Sequence, residues 1–242
     1  MKRISAYFRP GSIGEALALL ERPGAVLIGG GTKLNTVRSS VPMEVVDLQL
    51  IDLDRIERLD PDTLRIGATA TLQELVDSED VPPIVREAAR RELPSTLRAQ
   101  STVGGTIVSA DSESELLAAL LVHDAVVLVE RPQRTEQLGL EILLSRLPLA
   151  PPAIVTALTI DTSGVGALAR TARTAADKAI VAAAVRMGAD GRRRLALSGV
   201  ASTPILVGEA DELDPQGDFR GSGEYRRALA GILVSRAIEG VS

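Results

Sequence analysis

The chain has 242 residues, 45% of them hydrophobic but only 2% aromatic, and 32 acidic against 27 basic side chains give a formal net charge of −5. That length suits roughly two or three modest domains in one body, and the lack of cysteine excludes disulfides, thiolate zinc sites, cysteine-ligated iron–sulfur clusters and a cysteine nucleophile within the chain. An acidic balance without a basic, aromatic-interleaved cluster argues against a nucleic-acid surface, and no apolar run reaches the roughly 18 residues that span a bilayer.

The opening "MKRISAYFRP" lacks the apolar core of a secretory signal, so a cytoplasmic protein is expected. In "GSIGEALALLER" (Gly11–Arg22), Ile13, Ala16, Leu17 and Leu20 share one helical face, and Ser12 and Glu15 have capping-box spacing. "AVLIGGGTKLN" (Ala25–Asn35) runs a buried strand into three glycines. "EVVDL" and "TLRIGAT" read as strands, "TLQELVDS" and "PPIVREAARREL" as helices, the second with proline near its first turn. In "STVGGTIVSADSESELLAALLVHDAVVLVE" (Ser101–Glu130), Gly104–Gly105 reads as a second glycine loop. A polar run follows, then a helix from about Glu115 with Ser112 at capping-box spacing, then a strand. His123, the single histidine, is read as a half-buried structural residue.

"RLPLAPPA" (Arg146–Ala153) carries three prolines and marks the expected domain boundary. It divides the chain into subdomains 1–57 and 58–150 and a C-terminal domain 151–242. Beyond it, "AIVTALTI", "KAIVAAAVRM" and "GRRRLALSGVASTPILV" read as strands. "GEYRRALAGILVSRAIEG" (Gly223–Gly240) reads as an amphipathic helix burying Tyr225, Leu229, Ile232, Leu233 and Arg236–Ala237, with Arg226, Arg227 and Arg236 solvated or snorkelling. The class is mixed α+β: two N-terminal α/β subdomains and a C-terminal α+β domain with an antiparallel sheet and helices.

Glycines after a strand let backbone N–H groups approach an anion. Gly29, Gly30 and Gly31 offer this, with Thr32 adding a hydroxyl and Lys33 a positive charge. Thr102–Val103–Gly104–Gly105–Thr106 has the same character, and two such loops suit the two phosphates of a dinucleotide. Read singly, a strand followed by glycines is equally a tight turn. Neither loop is a P-loop or a G-x-G-x-x-G, so a Rossmann assignment is excluded. The run Ser109–Glu115 reads either as an acidic, solvated helix N-terminus or as a partner for sugar hydroxyls. With one histidine and no cysteine, no metal site is expected.

Taken in order, "YFRPGSIGEALALL", "VLIGGGTKLN", "LRAQSTVGGTIVSADSESELLAALLVHDA", "DKAIVAAAVRM" and "EYRRALAGILVSRAI" resemble the flavoprotein (medium) subunit of molybdenum hydroxylases, typified by carbon monoxide dehydrogenase and the FAD domain of xanthine dehydrogenase. The resemblance covers almost the whole chain. It implies an FAD-dependent oxidoreductase subunit whose flavin takes electrons from a partner [2Fe–2S] subunit and passes them to NAD⁺, oxygen or a quinone. A molybdopterin subunit completes the implied complex. It also implies that Gly29–Leu34 (Gly29, Gly30, Gly31, Thr32, Lys33, Leu34) and Thr102–Ile107 (Thr102, Gly104, Gly105, Thr106, Ile107) enclose the cofactor, with Asp111 and Glu115 nearby. No general acid or base is assigned, since electron transfer needs none. The chain departs from the family pattern at Thr106, usually Asn, at Ser112 and Glu115, usually Pro and Asp, and at Lys33, usually Asp or Asn. The stretch from Glu130 to Asp177 is aromatic-free. These departures motivate the alternative of a flavin-poor assembly or docking subunit.

Overall fold

The structure is a computed structural model describing residues 4–32, 42–208 and 213–241. Strand β1 (Ile4–Phe8), helix α1 (Ile13–Leu20), strand β2 (Ala25–Ile28) and strand β3 (Met43–Asp47) come first, and the strands pair in parallel in the order β1-β3-β2. The apolar face expected for α1 packs as read: Ala16, Leu17 and Leu20 meet Val46, Leu48 and Ile154. Ser12 Oγ accepts the N–H of Glu15, whereas the Glu15 carboxylate reaches back to the N–H of Gly11 instead of Ser12.

Next come β4 (Ile56–Asp60), β5 (Thr63–Gly67), α2 (Leu72–Asp77), α3 (Pro83–Glu92), α4 (Ser95–Arg98), α5 (Val103–Ser109) and α6 (Glu115–Val122). They are followed by β6 (Val126–Arg131), β7 (Arg134–Gly139), α7 (Leu140–Ser145) and β8 (Ile154–Asp161). These strands form an antiparallel sheet in the order β4-β5-β8-β6-β7. Its middle strand, β8, lies beyond the proline-rich segment at which the sequence suggests a division.

The last sheet, β9 (Val165–Thr171), β10 (Val181–Met187), β11 (Arg193–Ser198) and β12 (Ile205–Leu206), is ordered β12-β11-β10-β9, and α8 (Gly223–Glu239) completes the chain. Alternate residues of β10 face opposite ways. Val181, Ala183 and Val185 pack under α8, while Ala184 joins the central core with α6. This double burial explains the continuous small apolar run of "VAAAV". All eight residues of α6 are buried for the same reason. Among the described residues, no helix is long and apolar enough to cross a membrane.

Three sequence expectations change. The second glycine pair is not a loop: it forms the first turn of α5, with Thr102 as N-cap. The cap of α6 is Ser114, whose Oγ accepts the N–H of Leu117, and not Ser112. Helix α8 is rotated about its axis from the expected stripe, burying Arg226, Ala230, Leu233 and Ala237 and leaving Tyr225 and Ile232 exposed. Arg226 decides this rotation, because its guanidinium donates to the carbonyls of Ile180 and Gly199 and pairs with Asp218 at 2.9 Å.

Candidate functional site

The two glycine segments meet. Crowding explains why their side chains are missing: a Cβ on Gly30 would fall 1.5 Å from the Gln100 carbonyl oxygen, and one on Gly29 would fall 2.8 Å from the Thr102 side-chain Oγ1. Gly31 has φ +73°, a conformation glycine adopts without strain. Ser101 Oγ donates to Thr32 Oγ1 at 3.0 Å and ties the segments together.

Beside this junction opens a cleft walled by Gly29, Gly30, Gly31 and Thr32 on one side and Ser101, Thr102, Gly105 and Thr106 on the other. A hollow walled by Gln49, Asp54, Thr69, Thr71 and Glu74 shares Gly29, Gly30 and Thr102 with it. Among the described residues, the N–H groups of Gly29, Gly30 and Gly31 have no protein acceptor. Three unpartnered donors on consecutive residues form a cradle suited to an anion.

The second segment contributes differently. Val103 N–H goes to the carbonyl of Ala70, Gly104 N–H to that of Ala68 and Gly105 N–H to Thr102 Oγ1. Its amides are therefore already used, and it shapes the cleft through Thr102, Gly105 and Thr106. A Cβ on Gly104 would meet Ala68 Cβ at 2.8 Å, so that glycine serves the packing of α5. Ile107 is fully buried in the central core.

The expected carboxylates divide. Asp111 lines the cleft, and its Oδ2 accepts from Lys178 Nζ at 2.6 Å. Glu115 turns away, pairing with Arg170 at 2.8 Å and lying 3.9 Å from Arg91, so it ties α6 to β9 and α3. Lys33 and Leu34 lie outside the described residues.

Besides apolar residues of the cleft walls, sequence reasoning missed the polar residues Ser101, Glu92 and Lys178. Glu92, at the end of α3, is buried, and its Oε2 accepts from Ser114 Oγ and from the N–H of Leu116. Burial pushes its carboxyl up to about 7, although the Lys178 charge and those two donors pull the other way. Burial also opposes the charge on Lys178, but the Asp111 bond and the negative charges of Glu92, Asp111 and Glu113 outweigh it and raise the ammonium above its ordinary value. Lysine is scarce in this sequence, occurring at Lys2, Lys33 and Lys178 only. That scarcity is the one signal that points to Lys178.

Residues 2–163 match the family of the FAD binding domain in molybdopterin dehydrogenase. The protein YgfM of Escherichia coli (strain K12) is 33% identical, the alignment covering 96% of this chain and 94% of that one. The carbon monoxide dehydrogenase medium chain of Afipia carboxidovorans is 29% identical, covering 96% and 95% respectively. Among solved structures, reconstituted CO dehydrogenase from Oligotropha carboxidovorans superposes with a TM-score of 0.87 at 26% identity, covering 100% of this chain and 99% of that one.

Proposed function

The chain belongs to the family of FAD-binding domains of molybdopterin dehydrogenases, and on that premise we propose that it is the FAD-binding, electron-transferring subunit of a cytoplasmic molybdenum hydroxylase-type complex. Its partners in this reading are a molybdopterin subunit and a [2Fe–2S] subunit, and the electrons leave to NAD⁺, oxygen or a quinone. Relatives named as dehydrogenase subunits support the oxidoreductase class, including one of the 6-hydroxypseudooxynicotine dehydrogenase complex of Paenarthrobacter nicotinovorans.

The observation that carries the proposal is the cradle of N–H groups on Gly29, Gly30 and Gly31, unpartnered among the described residues, in the wall of the cleft. These donors suit the pyrophosphate of FAD. Thr32, Ser101 and Thr106 bring hydroxyls to the same walls, and Lys178 brings a cation. Bound FAD supplies one- and two-electron redox chemistry, while the protein supplies binding, orientation and electrostatics. The residues here accordingly hold and orient the cofactor; none needs to carry a substrate proton.

A flavin-poor docking subunit would have little physical need for unpartnered amides in an open cleft. The visible absorption spectrum of the purified chain, before and after addition of FAD, separates the two readings. A structured bound-flavin spectrum is expected. A protein that stays colourless with excess FAD, alone and within its assembled complex, would overturn the proposal.

A further inference from the structure

The sequence has four aromatic side chains, Tyr7, Phe8, Phe219 and Tyr225. Tyr7 donates to Asp47 Oδ2, Phe8 lies under Arg22, and Tyr225 sits on the outward side of α8. Phe219 alone among them borders a hollow that adjoins the cleft. Its side chain is 87% exposed. Yet it is held: Asp218 and Gly221 exchange both backbone hydrogen bonds around it, and the guanidinium of Arg220 stands 5.6 Å from its ring centre. Arg220 is itself anchored on Asp218 and Glu113. Apart from Arg220, the ring is left open to water, and the site it adjoins is the cofactor cleft.

The hollow beside Phe219 is walled by Arg173, Asp177, Lys178, Ile180 and Arg220, and Lys178 is also a wall of the cleft. A chain of contacts joins the two. Arg220 holds Glu113, the N–H of Glu113 donates to Asp111 Oδ1, and Asp111 holds Lys178.

Resting on the FAD reading above, we infer that Phe219 is the stacking platform for the isoalloxazine ring of the bound flavin. FAD carries two flat ring systems on either side of its pyrophosphate, and the two ends of this groove differ in charge. Beyond Gly29 and Gly30 the walls are Gln49, Asp54, Thr69, Thr71 and Glu74, hydroxyls, an amide and carboxylates with no cation among the described residues. That end suits neutral adenosine. At the Phe219 end Arg173, Lys178 and Arg220 surround an exposed aromatic ring, paired with Asp177, with Asp111, and with Glu113 and Asp218 respectively, so that donors to a ring that gains negative charge when reduced are held in place there. Arg220, over one face of the ring, pre-orders the platform, and the exposure of Phe219 places the ring at the surface, where electrons enter and leave.

The test measures dissociation constants of the full chain for FAD and for ADP, which lacks the isoalloxazine, in the wild type and in Phe219→Ala, Phe219→Leu and Phe219→Trp. Phe219 is exposed, so none of these changes removes core packing, and Phe219→Leu keeps apolar bulk without a ring. Phe219→Ala and Phe219→Leu are expected to weaken FAD binding by about 5- to 100-fold, the range of aromatic–base stacking, and to leave ADP binding unchanged. Phe219→Trp is expected to retain affinity, quench flavin fluorescence and add a long-wavelength charge-transfer absorption. Unchanged FAD affinity in Phe219→Ala overturns this inference alone. Equal weakening for FAD and ADP also overturns it, by assigning the platform to adenine. A wild type that binds no FAD overturns the underlying reading as well.

Discussion

Lys178 Nζ stands 2.6 Å from Asp111 Oδ2, joining residues 67 apart in the chain across one wall of the cleft. The same ammonium lowers the pKa of buried Glu92. Replacing Lys178 with Met therefore raises the Glu92 titration above about 7. It also weakens FAD binding several-fold, with a shallower salt dependence because one cation is gone. Carboxyl NMR of ¹³C-labelled Glu92 and FAD titrations at two salt concentrations check both effects.

Glu92 gives the fold a pH dependence of definite sign. Its folded value of about 7 lies above the ordinary 4.5, so the neutral form stabilises the fold at low pH, and that contribution is lost as pH rises from about 4.5 through 7. The full effect is about 3 kcal/mol. Glu92→Gln, which stays neutral, is expected to flatten this part of the stability curve in urea unfolding between pH 5 and about 8.

His123 acts at lower pH. Burial, with a smaller contribution from the Arg186 charge, depresses it to about 4 against the hydrogen bond with the Asp161 carbonyl and the nearby Asp161 and Asp124 charges. The neutral ring stabilises the fold above the ordinary 6.5, and that stability is lost as pH falls through about 4. As the chain has one histidine, proton NMR reads it without ambiguity. A midpoint near 4 is expected, and a midpoint near 6.5 would show that the ring is solvated.

The glycines form a graded series. Gly30→Ala drives a Cβ to within 1.5 Å of the Gln100 carbonyl, whereas Gly14→Ala, near the start of α1, meets nothing within 4 Å. The first is expected to disrupt the junction and abolish FAD retention. The second is expected to keep FAD and to raise stability by about 0.5–1 kcal/mol. Flavin content after gel filtration and thermal melting distinguish them.

Arg226, on the buried face of α8, has two carbonyls and Asp218 as partners. Arg226→Leu strips those partners and is expected to cost about 3–5 kcal/mol. Arg227→Leu, on the exposed side, is expected to cost less than about 1 kcal/mol. Urea unfolding of the two variants makes the comparison.

By itself the sequence determined the α+β class, the order of most elements and the two glycine segments that meet at the cleft. Those signals are local: apolar spacing, capping residues and glycines after a strand act within a few residues of one another. Short or polar elements escaped, as with β7 and the first turn of α5, because their hydrogen bonds come from strands and turns elsewhere in the chain. Only the tertiary structure decided which side each ionisable group faces. Glu115 and Asp111 lie four residues apart in one acidic run, yet Arg170 and Arg91 draw the first away from the cleft while Lys178 holds the second in it. Arg226 belongs inside because the carbonyls of Ile180 and Gly199 wait there for a donor. Periodicity reports that a face is buried, but the partners that make a buried charge tolerable are distant in sequence and are brought to it only by the packing of the sheets.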